Sequence, residues 1–187
     1  MGPQKQVIYY ELLVLRCQRE DKEALEEMIR LFERQILYYI RRLVENETDA
    51  WNILQETWIK VIRSIKQIRE PKKLPAWLYS IARKTAISHL RAEYSKEAVF
   101  DCTRDIAGIQ DNAEENLSFE NAEQVHYGLS KISLPHREVL TLFFLQDLTL
   151  EQIADVLNIS IGTVKSRLYY ARQALKEVLA KEGNINE

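Results

Sequence analysis

The sequence predicts an all-α protein: two small helical domains joined by a flexible acidic linker, the C-terminal one containing a helix-turn-helix. Only five glycines and four prolines punctuate 187 residues. Alternation of β-branched and polar residues is nearly absent, whereas apolar residues recur at spacings of three and four. Charge is spread unevenly around a net value of −2. From Thr57 to Ala92 nine Lys or Arg accompany a single acid, Glu70, and from Glu93 to Glu123 nine Asp or Glu stand against Lys96 and Arg104. That acidic stretch, with Gly108, several Asn and few large apolar residues, has too little to bury and reads as a tether. It divides the chain into residues 1–95, a linker 96–123 and residues 124–187, and 46% hydrophobic content supplies a core to each domain. The linker's end, ENLSFENAEQVHYGLSKI, already reads as helical.

In the N-terminal part a first helix runs from near Val7 to Gln18. A second runs from Lys22 to Val44 with Leu25, Ile29, Phe32, Ile36, Tyr39, Ile40 and Leu43 inward. Glu45 to Thr48 form a polar break. A third helix, DAWNILQETWIKVIRSI, turns Ala50, Ile53, Leu54, Thr57, Trp58, Val61, Ile62 and Ile65 inward. Its outer side is acidic early, at Asp49 and Glu56, and basic late, at Lys60, Arg63 and Lys66. Complementarity to the helix dipole explains this gradient, and the same layout suits a protein partner at the acidic end and a phosphate backbone at the basic end. A loop bounded by Pro71 and Pro75 follows, then a helix from Ala76 to Glu93. Lys72 and Lys73 in that loop, set against Arg83, Lys84 and Arg91, form a clamp suited to a single nucleic-acid strand. Trp77 is assigned to the core; Tyr79 and Trp58 fit either core or base stacking.

In the C-terminal part, TLEQIADVLNISIGTVKSRLYYARQALKEVL reads as a helix-turn-helix. Thr149 and Gln152 make a capping box over a helix whose inner face is Ile153, Val156 and Leu157. Asn158 and Ile159 turn, Ser160 caps the second helix, and Val164, Leu168, Ala171 and Leu175 form its buried stripe. The remaining positions, Ser166 and Tyr170 among them, are expected to face outward, and no acid occurs before Glu177. A helix entering the major groove needs small or hydrogen-bonding groups at its N-terminal end and cations at its flanks. Thr163, Ser166 and Arg167 are therefore the expected base contacts, with Lys165 and Arg172 on phosphates.

Other classes are poorly supported. Cys17 and Cys102 show no CxxC spacing and the three histidines are scattered, so neither a metal site, a cofactor nor a disulfide framework is expected. No phosphate loop or nucleophile with an adjacent base points to an enzyme. The lack of a signal-peptide core or a membrane-length apolar run leads to the expectation of a cytoplasmic chain that is not inserted in a membrane.

DAWNILQETWIKV, LPAWLYSIARKTAISHLR and LPHREVLTLFFLQDLTLEQIADVLNISIGTVKSRLYYARQALKEVL, in that order, resemble a bacterial sigma factor of the extracytoplasmic-function group. The resemblance implies a dissociable subunit of core RNA polymerase that recognises promoter DNA and is nucleoid-associated when bound to polymerase, with an anti-sigma protein as a further partner. It implies polymerase binding around Asp49, Asn52, Gln55, Glu56 and Trp58, with Arg41 and Arg42 beside them. The minus-ten reader falls on the Ile68 to Pro75 loop, with Lys72 and Lys73, and on Ser80, Arg83, Lys84 and Ser88 of the following helix. Thr163, Lys165, Ser166, Arg167, Tyr170 and Arg172 fall on the minus-thirty-five reader. Many relatives carry Asp at the position of Ser88 and Asn at that of Lys84, so the minus-ten sequence itself does not transfer. The alternative is a self-sufficient helix-turn-helix regulator, which accounts for residues 130–179 but not for the basic, proline-bounded segment from Thr57 to Ala92.

Overall fold

The computed structural model describes residues 3–44, 46–93 and 122–183. Its contacts divide the chain into two compact units, Met1–Ser95 and Lys96–Glu187, and no strand occurs among the described residues. Of the expected linker 96–123, residues 96–121 lie outside the described residues, as does Cys102.

The first unit contains α1 (Pro3–Gln18), α2 (Lys22–Leu43), α3 (Glu47–Ser64), two 3-10 turns (Ile65–Gln67 and Pro71–Lys73) and α4 (Leu74–Glu93). Asp21 begins α2 by accepting a hydrogen bond from the Ala24 N–H at 3.1 Å. Asn46 caps α3 through the N–H groups of Thr48, at 2.8 Å, and Asp49, at 3.3 Å. Because Asn46 supplies this cap, the expected polar break from Glu45 to Thr48 is shorter than the sequence suggested, and α3 starts at Glu47. Helix α2 packs on α1, α3 and α4, and α3 packs on α4, while α1 also lies against both 3-10 turns. The Tyr9 hydroxyl donates to Glu27 Oε1 at 2.5 Å, tying α1 to α2, and this bond with the carboxylate pushes the Tyr9 pKa up to about 12.

The inward face of α2 is Ala24, Met28, Phe32, Ile36, Tyr39, Ile40 and Leu43, so Leu25 and Ile29 are only half-buried. The apolar arc on this helix is wider than the arc its neighbours cover, and the sequence could not show which edge stays open. On α3 the expected inner face holds at Ala50, Ile53, Leu54, Thr57, Trp58 and Val61, with Ile65 buried just beyond. Ile62 instead is 46% exposed, one residue round the helix from Val61. Tyr79 is buried edge-on against Tyr39, with ring centroids 5.3 Å apart, and belongs to the core.

The second unit contains α5 (Ala122–Lys131), α6 (Leu134–Leu140), a π-turn (Thr141–Leu145), α7 (Leu150–Leu157) and α8 (Ile161–Gly183). Thr149 and Gln152 form the expected capping box, and Ile153, Val156 and Leu157 are buried. Asn158 ends α7 in the left-handed region, with φ 56° and ψ 50°, a conformation that Asn tolerates better than most residues. Ser160 Oγ then accepts from the Thr163 N–H at 3.0 Å and opens α8. The stripe Val164, Leu168, Ala171, Leu175 is buried as expected, and α8 packs against α5, α6 and α7. At Gly128 on α5, an added Cβ would lie 2.6 Å from Leu175 Cδ1, so a larger residue there requires the Leu175 side chain or the helix to shift.

Candidate nucleic-acid interface

Helix α4 buries Leu78, Ala82, Thr85 and Ala86. With each residue turned by about 100°, Trp77, Ser80, Lys84, Ser88 and Arg91 fall within a sector of about 80° on its other side, and Arg83 lies beside them. Lys84, Ser88 and Arg91 are exposed, while Trp77, Ser80 and Arg83 are half-buried. Trp77, expected in the core, therefore heads the outer row with part of its ring accessible. The Ser80 hydroxyl donates to the Trp77 carbonyl at 2.8 Å, which uses its hydrogen and leaves its oxygen able to accept. The Pro71–Lys73 turn leads directly into this helix, with Pro71 at its first position. Lys72 is exposed there, and Lys73 pairs with Glu70 at 3.5 Å. Lys60 is committed elsewhere: its Nζ pairs with Glu56 at 2.7 Å and donates to Thr85 Oγ1 at 3.1 Å.

A second surface lies on the outer side of α3. Asn52, Gln55 and Glu56 are exposed, and Asp49 is half-buried with an Oδ1 3.6 Å from His89 Nε2. Arg41 pairs with Glu47, and the Arg42 guanidinium stands 5.0 Å from the centroid of the Tyr38 ring. Trp58 departs from the expected polymerase-contact set: it is 7% exposed and its indole N–H is enclosed without a hydrogen-bond partner. Its position on the inner face of the α3 period, one turn past Leu54, places it in the core. The sequence reading missed three apolar groups on the outside of this helix, Trp51, Ile59 and Ile62, each more than 40% exposed. Trp51 and Ile59 stand eight residues apart and Ile62 three further on. That spacing, out of phase with the inward stripe, was the available signal.

On α8, Lys165 is exposed, whereas Thr163, Arg167 and Tyr170 are half-buried and Tyr169 is exposed. Thr163 Oγ1 lies 2.9 Å from the capping hydroxyl of Ser160, which fixes its rotamer. Two residues expected to face outward toward DNA are less exposed than that. Ser166 is 6% exposed and donates to the Thr163 carbonyl at 3.1 Å. Arg172 lies about 70° from the centre of the buried stripe at about 100° per residue. Its guanidinium covers the rings of Phe144, at 5.2 Å, and Phe143, at 5.8 Å, and its Nε is enclosed without a hydrogen-bond partner. His136 of α6 is half-buried, and burial, then the charge of Arg167, holds its pKa below the ordinary imidazole value. Helix α6 packs against α8.

Two family models match the chain in order: sigma-70 region 2 over residues 28–95 and sigma-70 region 4 over residues 128–177. The RNA polymerase sigma-H factor of Pseudomonas aeruginosa is 31% identical over 177 residues, covering 89% of this chain and 92% of that protein. The chain belongs to the sigma-70 family. Within it, SigV of Bacillus subtilis is 30% identical over 74% of this chain and 81% of its own length, and the extracytoplasmic-function sigma factor SigW of the same organism is 25% identical over 89% and 94%. The fold matches the solved structure of CnrH in complex with the cytosolic domain of CnrY, with a TM-score of 0.68 at 18% identity, covering 91% of this chain and 97% of that one. It also matches the sigma factor RpoE of Bartonella quintana in complex with the anti-sigma factor NepR, with a TM-score of 0.65 at 22% identity over 83% and 96%. This sigma factor of the extracytoplasmic-function group directs transcription initiation through RNA polymerase and promoter DNA. A lone helix-turn-helix regulator leaves the region 2 match unaccounted for. No helix among the described residues is long and apolar enough to cross a membrane.

Proposed function

We propose that the two units divide promoter recognition between them. Ser80, Lys84, Ser88 and Arg91 on α4, with Arg83, Lys72 and Lys73, hold an unpaired minus-ten strand. Thr163, Lys165, Arg167 and Tyr170 on α8 read the minus-thirty-five duplex. The observation that carries this reading is the outward row on α4, in which hydroxyls alternate with cations next to a cationic 3-10 turn, in the same chain as a capped helix-turn-helix. Ser166 and Arg172 leave the direct contact set because both side chains are committed within the unit. Core polymerase docks on the outer side of α3, where Asp49, Asn52, Gln55 and Glu56 surround the exposed Trp51, Ile59 and Ile62, with Arg41 and Arg42 at the end of α2. Large apolar groups within a polar rim are the usual energetic centre of such a contact.

The energetics favour this division. Each stacked base-pair step opened costs about 1.4 kcal/mol, and one captured base returns about 1 to 3 kcal/mol. A unit of this size selects one or two extruded bases and leaves the rest of the bubble to polymerase. The protein acts without catalytic chemistry of its own, in the cytoplasm, and is restrained by an anti-sigma protein, as the Bartonella relative is bound by NepR. The test is co-elution with bacterial core polymerase on a sizing column. The expected result is a complex that Trp51→Ala together with Ile59→Ala weakens about tenfold or more, as for an interface centre. Full affinity in that double variant would place the docking surface elsewhere.

A further inference from the structure

Helix α1 ends before residue 28, where the region 2 family match begins. The corner after it is nonetheless bound to the segment that leads into the candidate strand reader. Gln18, the last residue of α1, donates from Nε2 to the carbonyl of Ile65 at 3.1 Å and to that of Ile68 at 3.2 Å. Ile65 is the C-cap of α3, and Ile68 is the first residue of the loop that continues to Pro71. The Ile65 carbonyl also accepts the Ile68 N–H at 3.3 Å, which closes the 3-10 turn, and the Ile68 carbonyl lies just past that turn. One side-chain amide thus fixes both ends of the turn between them. Glu20, two residues on, adopts a left-handed φ of 65° and pairs with Lys66 of that turn at 2.5 Å.

The corner is itself held firmly. Arg16 pairs with Asp21 at 2.8 Å and with Glu27 at 3.1 Å, and Asp21 also caps α2. Helix α1 packs against the Pro71–Lys73 turn as well. A reader loop held in its binding conformation before the strand arrives avoids the ordering cost that a free loop would meet on binding.

We propose that Gln18 is a positioning residue for the minus-ten reader: its two hydrogen bonds set the path of Ile65–Ile68 and hence where Lys72, Lys73 and the start of α4 meet the unpaired strand. This inference rests on the assignment of the 68–75 loop as strand reader. The test uses holoenzyme assembled from the full chain and core polymerase, on a promoter recovered by sequencing the transcripts that the holoenzyme makes from bacterial genomic DNA. Two probes are cut from that promoter: a fork junction with a single-stranded minus-ten segment, and a duplex carrying only the minus-thirty-five element. Gln18→Met keeps the length and removes the donor, Gln18→Glu keeps the shape and offers only acceptors, and Gln18→His restores a neutral N–H donor.

The expected result for Gln18→Met and Gln18→Glu is a loss of fork-junction affinity of about tenfold, the equivalent of two net hydrogen bonds. Duplex and polymerase affinities stay unchanged, and Gln18→His, with one N–H for the two acceptors, recovers part of the loss. Unchanged fork-junction binding in Gln18→Met overturns the proposal. Equal loss on both probes, or loss that follows a lowered melting temperature, also overturns it, by marking Gln18 as a general stabiliser. Lys72→Ala with Lys73→Ala serves as the control for the underlying reading. If that variant also leaves the fork junction untouched, the loop is not the reader; if it weakens the fork junction while the Gln18 variants do not, the positioning role alone fails.

Discussion

Among the basic side chains of α8, position on the helix predicts role less well than what each head group already touches. Lys165 is exposed, whereas the Arg172 guanidinium lies over Phe143 and Phe144 with its Nε enclosed. A lysine that neutralises a phosphate releases counterions on binding, and an arginine stacked inside the unit does not. Lys165→Ala should therefore weaken duplex binding by holoenzyme and reduce the slope of log K against log salt by about 1. Arg172→Ala should leave that slope unchanged and lower the thermal stability of the chain through lost packing and cation–π contact. A salt titration of the two variants alongside a melting curve checks both; a reduced slope for Arg172→Ala would return it to the phosphate-contact set.

The elements owe their boundaries to caps that are local in sequence, and their relative placement to close contacts that are not. Thr149, Asn158 and Ser160 mark the ends of the helix-turn-helix helices because each answers orphan backbone groups within a few residues. Gly128 is different: its role depends on Leu175 and Leu179, far along the chain. A Cβ there would sit 2.6 Å from Leu175 Cδ1 and 3.1 Å from Leu179 Cδ2. Leu175 is 2% exposed, so shifting its side chain disturbs a buried contact. Gly128→Ala gains about 1 kcal/mol of helix propensity but overpacks a buried contact at a cost of about 1 to 3 kcal/mol. The expected outcome is net destabilisation, read as a lower urea midpoint with an unchanged m-value; an increase would mean that α5 shifts without cost.

For the whole molecule, a net charge of −2 removes any general attraction to DNA, and the cations that remain are local and partly paired. Minus-thirty-five recognition by α8 and strand capture by α4 each contribute modestly, so promoter affinity should depend on polymerase. The free chain is expected to show little sequence-preferring binding to promoter duplex at physiological salt, and the holoenzyme to bind it tightly. A gel-shift series with and without core polymerase decides this; tight, sequence-selective binding by the free chain would contradict a polymerase-dependent reader.

The sequence by itself determined what depends on short-range spacing. The helical class, the capping box at Thr149, the turn at Asn158, the stripe from Val164 to Leu175 and the sigma-like order of motifs were all legible, because caps and helical periods are written within one or two turns. Tertiary structure alone decided which side of each apolar arc is covered. Leu25 and Ile29 sit at arc edges that are only partly covered and Ile62 at one left exposed, while Trp58 and Arg172 lie where a neighbour packs. It also decided the bracing of the strand-reading loop by Gln18, forty-seven and fifty residues away from its acceptors. Such contacts follow from how helices pack, and packing depends on the combined shapes of several helices, which no local pattern encodes.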